Sequence, residues 1–258
     1  TLVFAVSFSG NTEETVEAAT QVAERGGRLI VVAAGGELAE LATGWNAPVL
    51  PIDAGIPMPR AGIGAVSIPA LVALERMGML SGIHAEIDGA VKQLRHRIDR
   101  LTAADSDAAK LARKIGRTMP IIYGGGAVGE IAAARWKAQF NENPKVPAFA
   151  NRVPELTHNE IAGWGQHGDV TRQVFTLLNL RHSFEHPQTR RRFGLVAEIC
   201  NEIVADVIEV EAEGPTVLAQ LFDLIVFGDF VTLELSVQSG VDPGPVPVLD
   251  YIKTALRS

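Results

Sequence analysis

Thr1-Leu-Val-Phe-Ala-Val-Ser7-Phe-Ser-Gly-Asn-Thr12-Glu-Glu-Thr-Val16 is the stretch whose reading decides the fold of this chain. Its first six residues are an apolar run rich in β-branched side chains, the pattern of a strand buried on both faces of a parallel sheet. From Glu13 to Glu24 the spacing changes, and Val16, Ala19, Val22 and Ala23 fall on one helical face. Ser7-Phe-Ser-Gly-Asn-Thr12 between them is a strand-to-helix turn carrying three hydroxyls, a glycine and an amide. The first N–H groups of the helix have no partner within it and face the same space. Such a turn suits a dianionic phosphate held without a metal. An ordinary helix cap is the competing reading, although one Ser or Thr would suffice for that.

The pattern then repeats. Arg28–Ala34 and Ala47–Ile52 read as strands and Glu37–Thr43 as the helix between them. Strands alternating with helices predict a parallel sheet with right-handed crossovers and a ligand site at the carboxyl ends of the strands. Pro57-Met-Pro-Arg60-Ala-Gly-Ile-Gly64 is stiff at its prolines and follows a sheet edge, which favours a ligand contact for Arg60 over a structural role; Asp53 is the nearby carboxylate. Residues 65–79 are helical in spacing, with Leu71, Leu74 and Met77 as core candidates. Helices over Gly82–Arg100 and Ala108–Gly116 lead to a second unit, with the boundary anywhere between residues 85 and 116 and set at 100/101. That unit opens with the strand Met119–Tyr123, the turn Gly124-Gly-Gly-Ala-Val-Gly129 and a helix over Glu130–Gln139. The glycines do not have the dinucleotide-binding spacing, and close packing of helix on strand accounts for them. Phe140–Pro144 reads as a polar interruption and Pro154–Glu160 as a loop after an extended or irregular stretch. Strands follow at Val174–Leu180 and Asp206–Glu211, and helices at Thr189–Val204, Val217–Ser239 and Asp250–Leu256.

Composition narrows the classes of function. With 258 residues, 47% of them hydrophobic, the chain can bury one large core or two moderate ones. A formal charge of −7 and the lack of a basic patch interleaved with aromatics argue against nucleic acid as a partner. The mildly basic stretch His96, Arg97, Arg100 reads as a solvated helix face. Cys200 is the one cysteine, so no intrachain disulfide or zinc–thiolate cluster can form, and its apolar surroundings predict plain packing. No apolar run has the length of a membrane span and no signal peptide is visible, which fits a cytoplasmic protein. The chain opens with Thr1 inside a strand, so a preceding segment is expected.

Among titratable residues, Glu142 and His158 stand out. Glu142 lies at a helix end, flanked by Asn141 and Asn143, whose amides are candidates to hold its carboxylate. A desolvated Glu is a competent base for enolisation next to a carbonyl, and a histidine can pass a proton to a sugar ring oxygen. A structural Glu–His ion pair is the alternative. His182 and His186 have helical spacing, but Pro187 and the lack of a third ligand argue against a metal.

Several segments together resemble the bifunctional phosphoglucose/phosphomannose isomerase family of the sugar isomerase (SIS) superfamily. They are Ala5-Val-Ser-Phe-Ser-Gly-Asn-Thr-Glu-Glu-Thr15, Pro59-Arg-Ala61, Phe140-Asn-Glu-Asn-Pro-Lys145, Pro154-Glu-Leu-Thr-His-Asn-Glu160 and Val248-Leu-Asp-Tyr-Ile-Lys253. The resemblance implies an α/β protein of two SIS subdomains, residues 1–100 (partial, with connecting helices) and 101–258. It implies a homodimer with active sites near the subunit interface, acting on a hexose 6-phosphate without cofactor or metal. Ser7, Ser9 and Thr12 correspond to the phosphate contacts, and Glu142 to the base that moves a proton between C2 and C1 through a cis-enediol. Arg60 corresponds to the charge stabiliser, and His158 to the group assisting ring opening, which in the family can come from the neighbouring subunit. Lys253 corresponds to the active-site lysine. A further serine turn of the family has no counterpart here, Thr157 stands where some members have a histidine, and Val246 where some have threonine. A non-catalytic SIS protein that senses a phosphosugar is the alternative; the Glu142 and His158 pair favours the enzyme, since phosphate binding needs neither. An aminosugar isomerase is a third reading, for which no ammonia source is visible.

Overall fold

Residues 1–256 are described by a computed structural model, in which the chain divides into two compact units after Ala85. The first unit alternates β1 (Leu2–Val6), α1 (Glu13–Glu24), β2 (Arg28–Ala33), α2 (Gly36–Gly44) and β3 (Val49–Pro51), then closes with a 3-10 turn at Pro59–Ala61 and α3 (Ile63–Arg76). The three strands are parallel in the order β1-β2-β3, with Val3 opposite Leu29 and Val32 opposite Leu50. Val31 and Val32 are wholly buried, each worth about 1.5–3 kcal/mol of transfer free energy. Val31 packs with Ala5, Leu29 and Ala33 against Ala19 of α1 and Leu38 and Ala42 of α2. Helix α3 seals its side of the sheet only in part. Leu71 and Leu74 are half-buried, and Met77 is 44% exposed, contrary to the core role expected for it. Met77 caps α3 immediately before Gly78, so it has left the helical face that meets the sheet.

The second unit contains α4 (Ile83–Leu101, from Glu86 onward), α5 (Asp107–Ile115), β4 (Met119–Gly125), α6 (Gly126–Glu142), β5 (Phe149–Val153), α7 (Glu160–Gly163) and α8 (Gly168–Val174). It continues with β6 (Phe175–Arg181), α9 (Pro187–Cys200), β7 (Asp206–Glu211), α10 (Val217–Ser239) and α11 (Pro247–Ala255). Its four strands are parallel in the order β5-β4-β6-β7. Alternate residues serve opposite faces, as the pleat requires. Ile122, Leu178 and Leu180 pack on α5, α6 and α10, whereas Ile121, Tyr123 and Leu177 pack on α9 through Phe193, Val196 and Cys200.

Helix α6 runs through to Glu142 rather than stopping at Gln139, because Asn143 N–H still reaches the Gln139 carbonyl. Strand β5 and helix α8 carry no amphipathic signature; β5 is an edge strand with Phe149, Ala150 and Arg152 exposed, so its sequence lacks a buried stripe.

The division after Ala85 falls at the early end of the 85–116 range, before 100/101, and α4 is sewn to the second unit by buried charge. Arg97 is 6% exposed, not on a solvated face. Its guanidinium pairs with Glu213, approaches Asp223 at 3.4 Å and lies 4.5 Å from the centre of the Phe227 ring. Gln93 donates to Asp223 at 2.8 Å, Arg100 to Glu213 at 2.6 Å, and Glu86 accepts from Leu218 N–H at 3.1 Å. Burial raises the Asp223 pKa against the pull of the Glu213 N–H, Gln93 and Arg97.

Two outcomes are expected. Arg97→Ala strands Asp223 without its cation and should lower unfolding free energy by about 3–5 kcal/mol, against under about 1 kcal/mol for Arg100→Ala, read by urea unfolding. Cys200 is wholly buried, which pushes its thiol up to about 11 with help from the Glu160 charge. It should therefore resist iodoacetamide at pH 8 in the folded protein and react once urea is added.

Candidate active site

The hydroxyl turn lies at the carboxyl end of β1 and is held in one shape by the start of α2. Ala34 N–H donates to the Phe8 carbonyl at 3.0 Å and Leu38 N–H to the Gly10 carbonyl at 2.9 Å. Asn11 Oδ1 accepts from Glu37 N–H at 3.0 Å, so this side chain caps α2. Gly10 has φ +74, and a Cβ there would fall 1.8 Å from the Gly35 oxygen. Within this frame Ser7 and Thr12 come together. Ser7 is buried, and its Oγ lies 2.8 Å from Thr12 Oγ1 while accepting from Gly10 N–H at 3.1 Å. Ser9 and Thr12 are exposed, and Ser9 Oγ accepts from Asn11 N–H at 3.2 Å.

One detail weighs against the plain-cap reading. Thr12 occupies the N-cap of α1, yet its side chain makes no capping hydrogen bond; it is turned towards Ser7. A capping threonine would instead accept from an N–H of the first turn.

Arg60 sits half-buried in the 3-10 turn Pro59–Ala61, in the same unit. That turn packs on the hydroxyl turn through Gly62, where a Cβ would come within 2.8 Å of the Phe8 ring. Asp53 Oδ1 accepts from Gly55 N–H at 2.8 Å. A cavity of this unit, about 630 Å³, opens at the opposite, amino-terminal edge of the sheet among Leu2, Arg28, Trp45 and Pro48. It carries none of the expected site residues.

In the second unit Glu142 is the half-buried last residue of α6. The flanking amides do not serve its carboxylate as expected: Asn141 Nδ2 donates to the Val146 carbonyl at 3.0 Å and Asn143 Nδ2 to Thr232 Oγ1 at 2.9 Å. They fix the backbone around the glutamate. Lys145 Nζ adds a bond to the Glu142 carbonyl at 2.6 Å.

His158 is exposed at the end of a 3-10 turn, Glu155–His158. The turn is anchored at two points. Leu156 within it is wholly buried, and after it Glu160 accepts from the Tyr123 hydroxyl and from Asn151 Nδ2 at 2.6 Å. Trp164 Nε1 donates to the same hydroxyl at 3.2 Å. Burial, reinforced by Glu160, pushes the Tyr123 pKa far up, so the phenol stays a donor. Lys253 stands exposed on α11. His182 Nε2 donates to the Gly125 carbonyl at 2.8 Å, and His186 Nδ1 caps α9. Among the described residues no group of three or more His, Cys, Asp or Glu is placed to hold a metal ion.

Residues 104–256 match the model of the bacterial phospho-glucose isomerase C-terminal SIS domain. The chain is also 34% identical over 260 residues to the bifunctional phosphoglucose/phosphomannose isomerase of Caldicellulosiruptor bescii, covering 99% of this chain and 76% of that one. The chain belongs to the bifunctional phosphoglucose/phosphomannose isomerase family. The family's enzyme from Aquifex aeolicus is 29% identical over 257 residues, covering 99% of this chain and 76% of its own. Among solved structures, a glucose-6-phosphate isomerase like protein from Thermus thermophilus shares the fold, with a TM-score of 0.68 at 18% identity over 96% of this chain and 77% of that one. The SIS match begins after α4, so the helix that the packing assigns to the second unit lies outside the matched domain.

Three residues that shape the second unit around Glu142 and His158, namely Glu160, Tyr123 and Thr232, are not evident as such from the sequence. Glu160 closes the quoted Pro154–Glu160 segment, which was the signal available for it; Tyr123 and Thr232 sit inside apolar elements and offer none. Gly10→Ala should cost about 1–3 kcal/mol in backbone strain even before the clash with Gly35, and should lower the melting temperature measured by calorimetry.

Proposed function

We propose that the protein is an aldose–ketose isomerase interconverting glucose 6-phosphate, mannose 6-phosphate or both with fructose 6-phosphate. The observation that carries this reading is the Thr12 hydroxyl, turned away from helix capping and towards Ser7 at the amino end of α1. The turn thereby keeps both its hydroxyls and the N–H groups of the first helical turn on the side where an anion is stabilised. In this reading Ser7, Ser9 and Thr12 grip the sugar phosphate. Family membership adds the substrate class, since relatives are named for phosphoglucose and phosphomannose.

Glu142 then takes the proton from C2 of the open-chain sugar, and the pair of electrons left behind forms the enediolate with the carbonyl oxygen. A proton passes from the C2 hydroxyl to the C1 oxygen, and as the C2 carbonyl forms the carbon-bound proton is returned to C1, which completes the aldose-to-ketose change. Arg60 neutralises the developing negative charge, a role a fixed guanidinium performs without a proton transfer of its own. His158 assists ring opening at the ring oxygen. Lys253 supplies a second positive charge. One carboxylate serves both C2 epimers where the planar enediol turns to present either face of C2 to it. A homodimer is part of this reading, with His158 offered to the neighbouring subunit's site; its exposure on an anchored turn supports that role.

The test is a coupled assay on fructose 6-phosphate that reads glucose 6-phosphate and mannose 6-phosphate separately. Glu142→Gln should reduce turnover by about 10²–10⁴-fold and abolish C2 proton exchange with solvent while phosphosugar binding is retained. Ser7→Ala and Thr12→Val should raise KM about tenfold or more, the loss of a hydrogen bond to a charged group. Full exchange activity in the glutamine variant would remove Glu142 as the base, and binding without turnover in the parent protein would favour a phosphosugar sensor.

A further inference from the structure

We infer that Asn143 and Thr232 form a positioning pair, whose buried hydrogen bond sets the rotation of the last turn of α6 and hence the direction of the Glu142 carboxylate. The inference rests on the assignment of Glu142 as base and deepens it.

A helix end frays because its final carbonyls lack partners within the helix. Here they are answered. The Gln139 carbonyl accepts from Asn143 N–H at 2.8 Å, the Phe140 carbonyl from Val146 N–H at 3.0 Å and the Glu142 carbonyl from Lys145 Nζ at 2.6 Å. Lys145, itself at φ +60, also reaches the Pro243 carbonyl at 3.3 Å. These bonds order the end of the helix, but they do not fix how it is turned against its neighbour α10.

Side chains do that. Asn143 is 2% exposed and Thr232 wholly buried. Asn143 Nδ2 donates to Thr232 Oγ1 at 2.9 Å, and Thr232 passes its own hydrogen to the Asp229 carbonyl at 2.9 Å. One turn earlier Gln139 Nε2 donates to Asp229 Oδ1 at 2.8 Å, and Arg135 forks onto that carboxylate at 3.2 and 3.0 Å. Arg135, Gln139 and Asn143 follow the four-residue row of α6, so the contact is a polar ladder with Asn143 as its last rung. An apolar seam tolerates slight rotation; a buried amide does not, because any slip leaves it unpaired. Moving a proton between adjacent carbons needs such a fixed carboxylate, since a misplacement of about 1 Å can cost about 10²-fold in rate.

Three variants of the full chain test the pair. Thr232→Val keeps the shape and removes the acceptor; Thr232→Ser restores it. Trp136→Phe removes a different bond of the same helix pair, from Trp136 Nε1 to the Leu224 carbonyl at 2.7 Å, away from Glu142. The valine variant should lose about tenfold or more in kcat with KM within about twofold. The serine variant should stay within about threefold of the parent, and Trp136→Phe should lower the melting temperature yet keep kcat within about threefold. An unchanged kcat in Thr232→Val, or an equal loss in Trp136→Phe, overturns the inference. A second readout does not depend on turnover: Thr232→Val should speed hydrogen exchange at the Asn143 and Val146 amides. Unchanged exchange there overturns the positioning role, whereas faster exchange in a protein inactive on every hexose phosphate overturns the isomerase assignment alone.

Discussion

Backbone meets backbone at the corners where the strands of this chain turn into helices, and a side chain at either corner would push them apart. A Cβ at Gly124 would lie 1.9 Å from the Gly129 oxygen, inside the first turn of α6. The corner after β1 is closed instead by the turn ahead of α2, with Gly10 against Gly35. Helices can lie this close to their strands only because nothing fills the gap. In each unit that close approach fixes the helix that follows: α1 with the hydroxyl turn at its start, and α6 with Glu142 at its end.

Distance from the corner makes the two helices different problems. The hydroxyls of the first unit's turn sit at the corner itself, and backbone bonds from Ala34 and Leu38 to the Phe8 and Gly10 carbonyls hold that turn. Glu142 is a whole helix away from its corner, where small changes of pitch accumulate. The second unit answers with side chains: Trp136 fills the space beside Gly228, and Asp229 and Thr232 bind the polar row of α6. Burial raises the Asp229 pKa while Arg135 and Gln139 pull the other way, so the ladder holds its carboxylate at a cost that its partners offset.

Much of this was legible in the residues. The elements α1, β7 and α10 fall at the bounds read from the sequence, and the parallel sheets follow from the alternation of strand and helix. What stayed hidden had no local signal. Strand β5 is defined by pairing with β4 across the chain, not by its own alternation. Arg97 looks solvated beside His96 and Arg100 because its partners Glu213 and Asp223 lie far along the sequence. Asn141 and Asn143 do not hold the Glu142 carboxylate as adjacency suggested; their amides brace the chain on either side of it. Glu160 and Tyr123 meet only once β4 and the turn after β5 are in place.

The Ser7–Thr12 contact has a consequence of its own. Each hydroxyl is a rotor with one hydrogen and two lone pairs, and only one of the two hydrogens is needed between them. If both rotors swing together, the polarity of the pair reverses while every heavy atom stays still. The same two oxygens therefore offer outward either a hydrogen or a lone pair, so the turn can follow a visiting group as it gains or loses a proton without any movement of its backbone.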